Sequence, residues 1–135
     1  MPFISPTDAP VFELHGAHFT ALAAPSRGAT ENAVWIVTLE PGTLPVTHRL
    51  TREETFVCIE GEARAILDGA AIRVTLGSAL VVPPHTDFAL ENPADAPFRA
   101  VVVLPVGGQG IVGDQPPFTP PWGAVVDSPS RRCRS

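Results

Sequence analysis

The sequence predicts an all-β protein, a sandwich or barrel, and three observations carry that reading. The apolar runs are short and rich in β-branched residues, glycine or proline divides most of them, and none sustains a helical period. With 16 prolines and 11 glycines in 135 residues, turns are frequent and long helices are disfavoured. Apolar residues make up 44% of the chain and charged ones 17%, so one domain of this length buries a core without disulfides.

In chain order the expected strands are VFELH (11–15), AHFTALAA (17–24), AVWIVTLE (33–40), ETFVCIE (54–60), EARAILD (62–68), AIRVTL (71–76), ALVVP (79–83), DFALEN (87–92) and FRAVVVL (98–104). Tight turns are expected at Gly61, at Asp68-Gly69, where LDGAA is a hairpin signal, and at Gly77. Closure into a barrel would leave no exposed strand edge. After Pro105 the chain becomes VGGQGIVGDQPPFTPPWG, with Phe118 and Trp122 isolated among glycines and prolines. That segment is expected to wrap the barrel or a partner subunit in an extended conformation. The organisation read from this is a single domain over residues 1–126 and a disordered tail over 127–135.

Composition excludes several function classes. The net charge is −5, and three of the nine arginines lie in the last five residues, so the body of the chain is strongly acidic and no nucleic-acid partner is expected. The start, MPFISPTDAP, lacks the pattern of a secretory leader, and no run approaches the roughly 18 apolar residues of a membrane span. Cys58 and Cys133 stand far apart, which excludes a disulfide framework and a four-cysteine zinc site; a reducing cytoplasm is the expected compartment. Every basic residue is arginine and tyrosine is absent, so Schiff-base chemistry, a lysine base and a tyrosine acid are ruled out. No G-x-S-x-G elbow occurs, and GGQG at 107–110 is not followed by the Lys-Ser/Thr of a phosphate loop.

Two spaced motifs remain. Gly42, His48, Leu50, Glu54 and Gly61 follow the spacing glycine, five residues, His-x-His, three residues, Glu, six residues, glycine, with leucine at the second histidine. Gly77, Pro83, His85, Phe88 and Asn92 follow glycine, five residues, Pro-x-Gly, two residues, His, three residues, Asn, with His85 at the glycine and Phe88 at the histidine. Residues 42–92 thus resemble the two motifs of the cupin superfamily. The resemblance implies a double-stranded β-helix, the jelly-roll barrel, often dimeric and with its site inside. It also implies a metal held by three imidazoles and one carboxylate, a set suited to iron, manganese, nickel, copper or zinc. This chain keeps one imidazole and the carboxylate, so no metal cofactor is expected; if one binds, His48, Glu54 and His85 are the candidates.

Strand parity puts His48 with Leu50 on one face and Glu54 with Phe56 and Cys58 on one face of the next strand. Glu53 then points away from Glu54, so the two cannot flank a glycosidic bond. His48 and Glu54 are the candidate catalytic pair, the carboxylate orienting the imidazole; the bland alternative is a hydrogen-bonded pair that only satisfies itself. Leu50, Phe56, Phe88, Trp35 and Cys58 are the expected pocket residues, Cys58 at its simplest being a small buried apolar side chain. Arg49, Arg64, Arg73 and Arg99 are further candidates for the lining. His85 reads as a turn residue with positive φ, and His15 and His18 as residues of an outer strand. The expected activity is metal-independent proton transfer, an isomerisation or cyclisation, on a small, partly aromatic or polyketide-like molecule. A non-catalytic ligand-binding or accessory cupin is the alternative and a metal-dependent dioxygenase the third reading. The expected assembly is a homodimer, with terminal strands or PPFTPPWG packed on the partner.

Overall fold

The computed structural model describes residues 2–124; the tail expected over 127–135 lies outside the described residues. The strands are β1 (Val11–Leu14), β2 (Ala17–Ala23), β3 (Asn32–Leu39), β4 (Arg49–Leu50), β5 (Glu54–Glu60), β6 (Ala63–Leu67), β7 (Ala70–Val74), β8 (Ala79–Val82), β9 (Phe88–Glu91), β10 (Phe98–Pro105) and β11 (Gly110–Ile111). The helical elements are two single 3-10 turns, Pro25–Arg27 and Pro121–Gly123, and among the described residues no helix is long and apolar enough to cross a membrane. All nine expected strands form. The two not expected, β4 and β11, are two residues long and pair with each other, and a ladder that short leaves no period to read.

One layer is a six-stranded antiparallel sheet in the order β1-β2-β3-β10-β5-β8. The facing layer is made of β7-β6-β9 and β11-β4, joined by a bridge between His48 and Phe88. Along β3 and β10 burial alternates strictly, which turns Trp35, Val37, Ala100 and Val102 inward. Val102 sits in register between Trp35 on β3 and Phe56 on β5, so these side chains form one row across the inner face. Phe12, Phe88 and Phe98 are essentially fully buried, each contributing about 2–3 kcal/mol by leaving water. These two layers around one core are the jelly-roll barrel.

The motif glycines and asparagine do structural work. Gly61 has φ +70, and a Cβ there would lie 2.2 Å from the Pro97 carbonyl oxygen, so only glycine lets β5 turn against the start of β10. The Asn92 side chain is fully buried and satisfied: Nδ2 donates to the Leu39 and Ala96 carbonyls at 2.9 Å, and Oδ1 accepts from Ala94 N–H at 3.0 Å. The LDGAA hairpin forms, with Asp68 (φ 45) and Gly69 (φ 84) as the two left-handed turn residues and Leu67 paired with Ala70.

The segment after Pro105 wraps its own barrel. Gly110 and Phe118 exchange backbone hydrogen bonds, and Trp122 is buried with its ring stacked on Phe19 of β2 at 3.8 Å and 2°.

Candidate functional site

Between the layers lies a cavity of about 520 Å³, predominantly apolar in its walls. β3 supplies Trp35, β5 supplies Glu54 and Phe56, and the facing layer supplies His48, Leu50 and Phe88. The six expected residues just named therefore share one cavity: strand parity groups His48 with Leu50 and Glu54 with Phe56, the motif register adds Phe88, and the sequence leaves the face of Trp35 open. Cys58 does not line it: one inward step further along β5, its thiol donates toward the Gly61 and Glu60 carbonyls, and burial pushes its pKa up, away from nucleophilic use.

His48 is held by backbone. Its N–H and C=O bond the C=O and N–H of Phe88 at 2.9 Å each, and the imidazole rests on the Phe88 ring with centroids 4.2 Å apart. Its Nδ1 lies 2.8 Å from the Val46 carbonyl, which only accepts, so Nδ1 carries the proton and Nε2 is left as a lone pair. Burial lowers the His48 pKa, opposed by the Val46 hydrogen bond, so the ring is a neutral base at pH 7.

Glu54 is 4% exposed, and its Oε1 has no hydrogen-bond partner among the described residues. Burial raises its pKa from the usual 4.5 to about 8, so the carboxyl is protonated at neutral pH. The expected His48–Glu54 hydrogen bond is absent among the described residues, and the group that sets the tautomer is the Val46 carbonyl rather than the carboxylate. The reason is local: the backbone two residues before His48 brings a carbonyl to Nδ1, and Glu54 enters from the opposite sheet.

The arginines stand outside. Arg49 faces Asp87 at 3.8 Å, Arg64 bonds Glu91 at 2.9 Å, Arg73 pairs with Glu62 and Arg99 lies 3.9 Å from Glu60, and none of the four lines the cavity. His85 is an exposed turn residue at φ 58 and is not part of the wall. His18 pairs with Glu13 at 3.5 Å on β1–β2. His15 departs from expectation: it is the turn between β1 and β2, at φ 53, and lines the cavity. The wall also takes Phe19 from β2 and Phe118 and Trp122 from the C-terminal wrap. Phe118 and Trp122 stood out in the sequence as isolated aromatics, but nothing local said which surface they would cover.

A metal of the kind the cupin motif implies does not fit these residues. Leu50 and Phe88 place hydrocarbon at two positions where the motif has histidine, and among the described residues no three His, Cys, Asp or Glu side chains gather.

The model of the cupin domain matches residues 35–104. The chain belongs to the cupin family. No match was found among curated proteins. Among solved structures it is similar to the polyketide cyclase RemF from Streptomyces resistomycificus, with 18% identity and TM-score 0.70 over 78% of this chain and 79% of that one. It is similar to an RmlC-like cupin from Shewanella frigidimarina, with 18% identity and TM-score 0.66 over 76% and 88%. A sugar phosphate isomerase of the cupin superfamily from Silicibacter pomeroyi aligns with 21% identity and TM-score 0.61 over 74% and 67%. Identities this low establish the shared barrel.

Proposed function

We propose that this protein catalyses a metal-independent proton transfer, an isomerisation or cyclisation, on an uncharged carbonyl compound, with His48 as base and Glu54 as acid. One observation carries the reading: a buried carboxyl whose Oε1 has no partner among the described residues and an imidazole of fixed tautomer line the same apolar cavity, where burial favours the neutral form of each. An acid and a base that are both neutral at pH 7 can act together without burying a charge beforehand.

In the step proposed, His48 Nε2 takes a proton from a carbon beside the carbonyl while Glu54 gives its proton to the carbonyl oxygen. The product is an enol, an imidazolium and a carboxylate. Return of a proton from His48 to a different carbon, with Glu54 recovering its own from the enol oxygen, completes an isomerisation. If the enol carbon instead attacks a second carbonyl of the same molecule, a ring closes, the Glu54 carboxylate takes back the enol proton as the first carbonyl re-forms, and the imidazolium protonates the new alkoxide. Charge forms only transiently, as an ion pair inside a low-dielectric wall.

The lining favours an uncharged substrate. Among the described residues no arginine lines the cavity, and the chain has no lysine, so a phosphate or carboxylate there would be desolvated without an arginine or lysine counter-charge from those residues. Of the chemistries named for the similar structures, cyclase chemistry on an apolar carbonyl compound suits these walls better than isomerisation of a sugar phosphate. The predominantly hydrocarbon wall also favours a second reading, a cupin that binds such a molecule without turnover.

The test is turnover of a panel of linear and monocyclic aromatic polyketones by wild type, His48→Ala and Glu54→Gln, read by mass spectrometry and by solvent deuterium incorporation. Each substitution is expected to lower kcat by about 10²–10⁴-fold with the fold intact. Full activity in both variants refutes the assignment; binding without product or exchange supports the second reading.

A further inference from the structure

Two buried polar side-chain atoms lack a hydrogen-bond partner among the described residues, Glu54 Oε1 and Trp122 Nε1, and both belong to residues that line the same cavity. Glu54 has a use in the chemistry above. Trp122 has none. An indole N–H has one role in hydrogen bonding, donation, and leaving it buried and unmade costs about 1–3 kcal/mol.

The ring is fixed where it stands. It stacks on Phe19 at 3.8 Å and meets Trp35 edge-on and Phe12 at a tilt, each with centroids 6.2 Å away. Three aromatic neighbours hold the indole plane, and Trp122 is 5% exposed, so its N–H cannot swing out to water. Phe19 lies on β2 and Glu54 on β5, three strand steps apart on one sheet, roughly 14 Å across the strands at about 4.8 Å per step, and Glu54 is further offset along β5 from Cys58, the residue in the row of Phe19. The cavity therefore has a donor toward one side and an acid–base pair toward the other, with hydrocarbon between.

We propose that Trp122 Nε1 is the donor of a recognition subsite that takes a carbonyl or ether oxygen of an uncharged aromatic ligand bound in the cavity. The C-terminal wrap is then part of the binding site as well as a cover for the barrel. A ligand without that oxygen leaves the N–H unsatisfied and is discriminated against by the same penalty. The proposal rests on the cavity of the function above being the ligand site, and is independent of whether His48 and Glu54 move protons.

The experiment uses the full chain labelled with ¹⁵N-tryptophan. Trp35 and Trp122 are the only tryptophans, so two indole N–H peaks are expected, assigned through Trp35→Phe or Trp122→Phe. The probes are 2-acetylnaphthalene and 2-ethylnaphthalene, alike in shape but differing in the acceptor oxygen. The acetyl compound is expected to move the Trp122 proton downfield and slow its exchange, and the ethyl compound is not. Trp122→Phe should weaken the acetyl compound roughly three- to tenfold more than it weakens the ethyl compound, the difference isolating the N–H from the loss of wall area. Equal shifts with both probes, an unmoved Trp122 peak on binding, as for an N–H donating to the Trp35 ring face, or no binding of the acetyl compound would each overturn the proposal. If Trp122→Phe does not fold, the wild-type spectra with Trp35→Phe assignment still decide it. Glu54→Gln, expected to lack turnover, should keep the Trp122 shift.

Discussion

His48 and Phe88 face each other across a two-bond bridge, each amide donating to the other's carbonyl at 2.9 Å, with ring centroids 4.2 Å apart and tilted 48°. The family's second motif places its histidine where Phe88 stands. The contact is therefore between two positions at which the motif carries histidine, one keeping it here and the other holding phenylalanine.

Replacing Leu50 and Phe88 together by histidine should rebuild a three-histidine, one-carboxylate set on a backbone that already carries the motif glycines and Asn92. Nickel or zinc is then expected to raise Tm, because metal bound only by the folded state stabilises it by mass action, and to draw the Glu54 proton off. Wild type is expected to carry far less than one transition metal per chain after mild chelation. Stoichiometric metal in the wild type, read by elemental analysis, contradicts the count of donors, and no Tm gain in the double variant contradicts the geometry.

Glu54 makes stability depend on pH. Its folded-state pKa, about 8, lies above the ordinary 4.5, so the folded state keeps a proton that the unfolded chain releases. That contribution is fully present below pH 4.5 and is lost as pH rises to about 8. His48 acts oppositely, its lowered pKa weakening the fold only below the ordinary 6.5. The interval from pH 6.5 to 8, below the range in which the raised pKa of the Cys58 thiol contributes, thus isolates Glu54. Wild type should lose about 2 kcal/mol across it, roughly 6–8 °C in Tm, and Glu54→Gln should flatten the curve. A wild-type curve already flat in that interval would falsify the protonated carboxyl.

Two motif residues should be costly to change without touching the chemistry. Gly61→Ala forces a Cβ onto the Pro97 carbonyl in a left-handed backbone and is expected to cost about 3 kcal/mol or to prevent folding. Asn92→Ala leaves the Leu39 and Ala96 carbonyls and the Ala94 N–H without their partner, and is expected to cost about 2–4 kcal/mol. Urea unfolding of both proteins checks this; losses under 1 kcal/mol would show that the backbone relaxes around them.

The assembly we propose is a homodimer. The PPFTPPWG segment packs on its own barrel through Trp122 while leaving Phe118 partly exposed, and Val57, Ile59 and Val81 are exposed on β5 and on the edge strand β8, where we place the partner contact. Light scattering at micromolar concentration should give twice the chain mass, and Ile59→Lys with Val81→Glu should return a monomer. A monomeric wild type ends this proposal.

Sequence alone determined the all-β class, its nine principal strands and the shared faces of His48 with Leu50 and of Glu54 with Phe56, because strand alternation is a local quantity; the choice of barrel over sandwich and the inward place of Phe88 came from the resemblance of the spaced motifs. It also placed His85 in a left-handed turn, since a residue at a glycine position must accept that backbone. Tertiary structure decided the rest. The partner of His48 Nδ1 is a backbone carbonyl, and sequence carries no signal for which carbonyl a loop presents. Glu54 is protonated because two sheets close over it and remove water, a consequence of packing rather than of residue type. The two-residue pairing of β4 with β11, His15 at the cavity wall and the seat of Trp122 on Phe19 arise from contacts between segments distant in the chain. Such contacts form only once the barrel exists to receive them, so no local pattern encodes them.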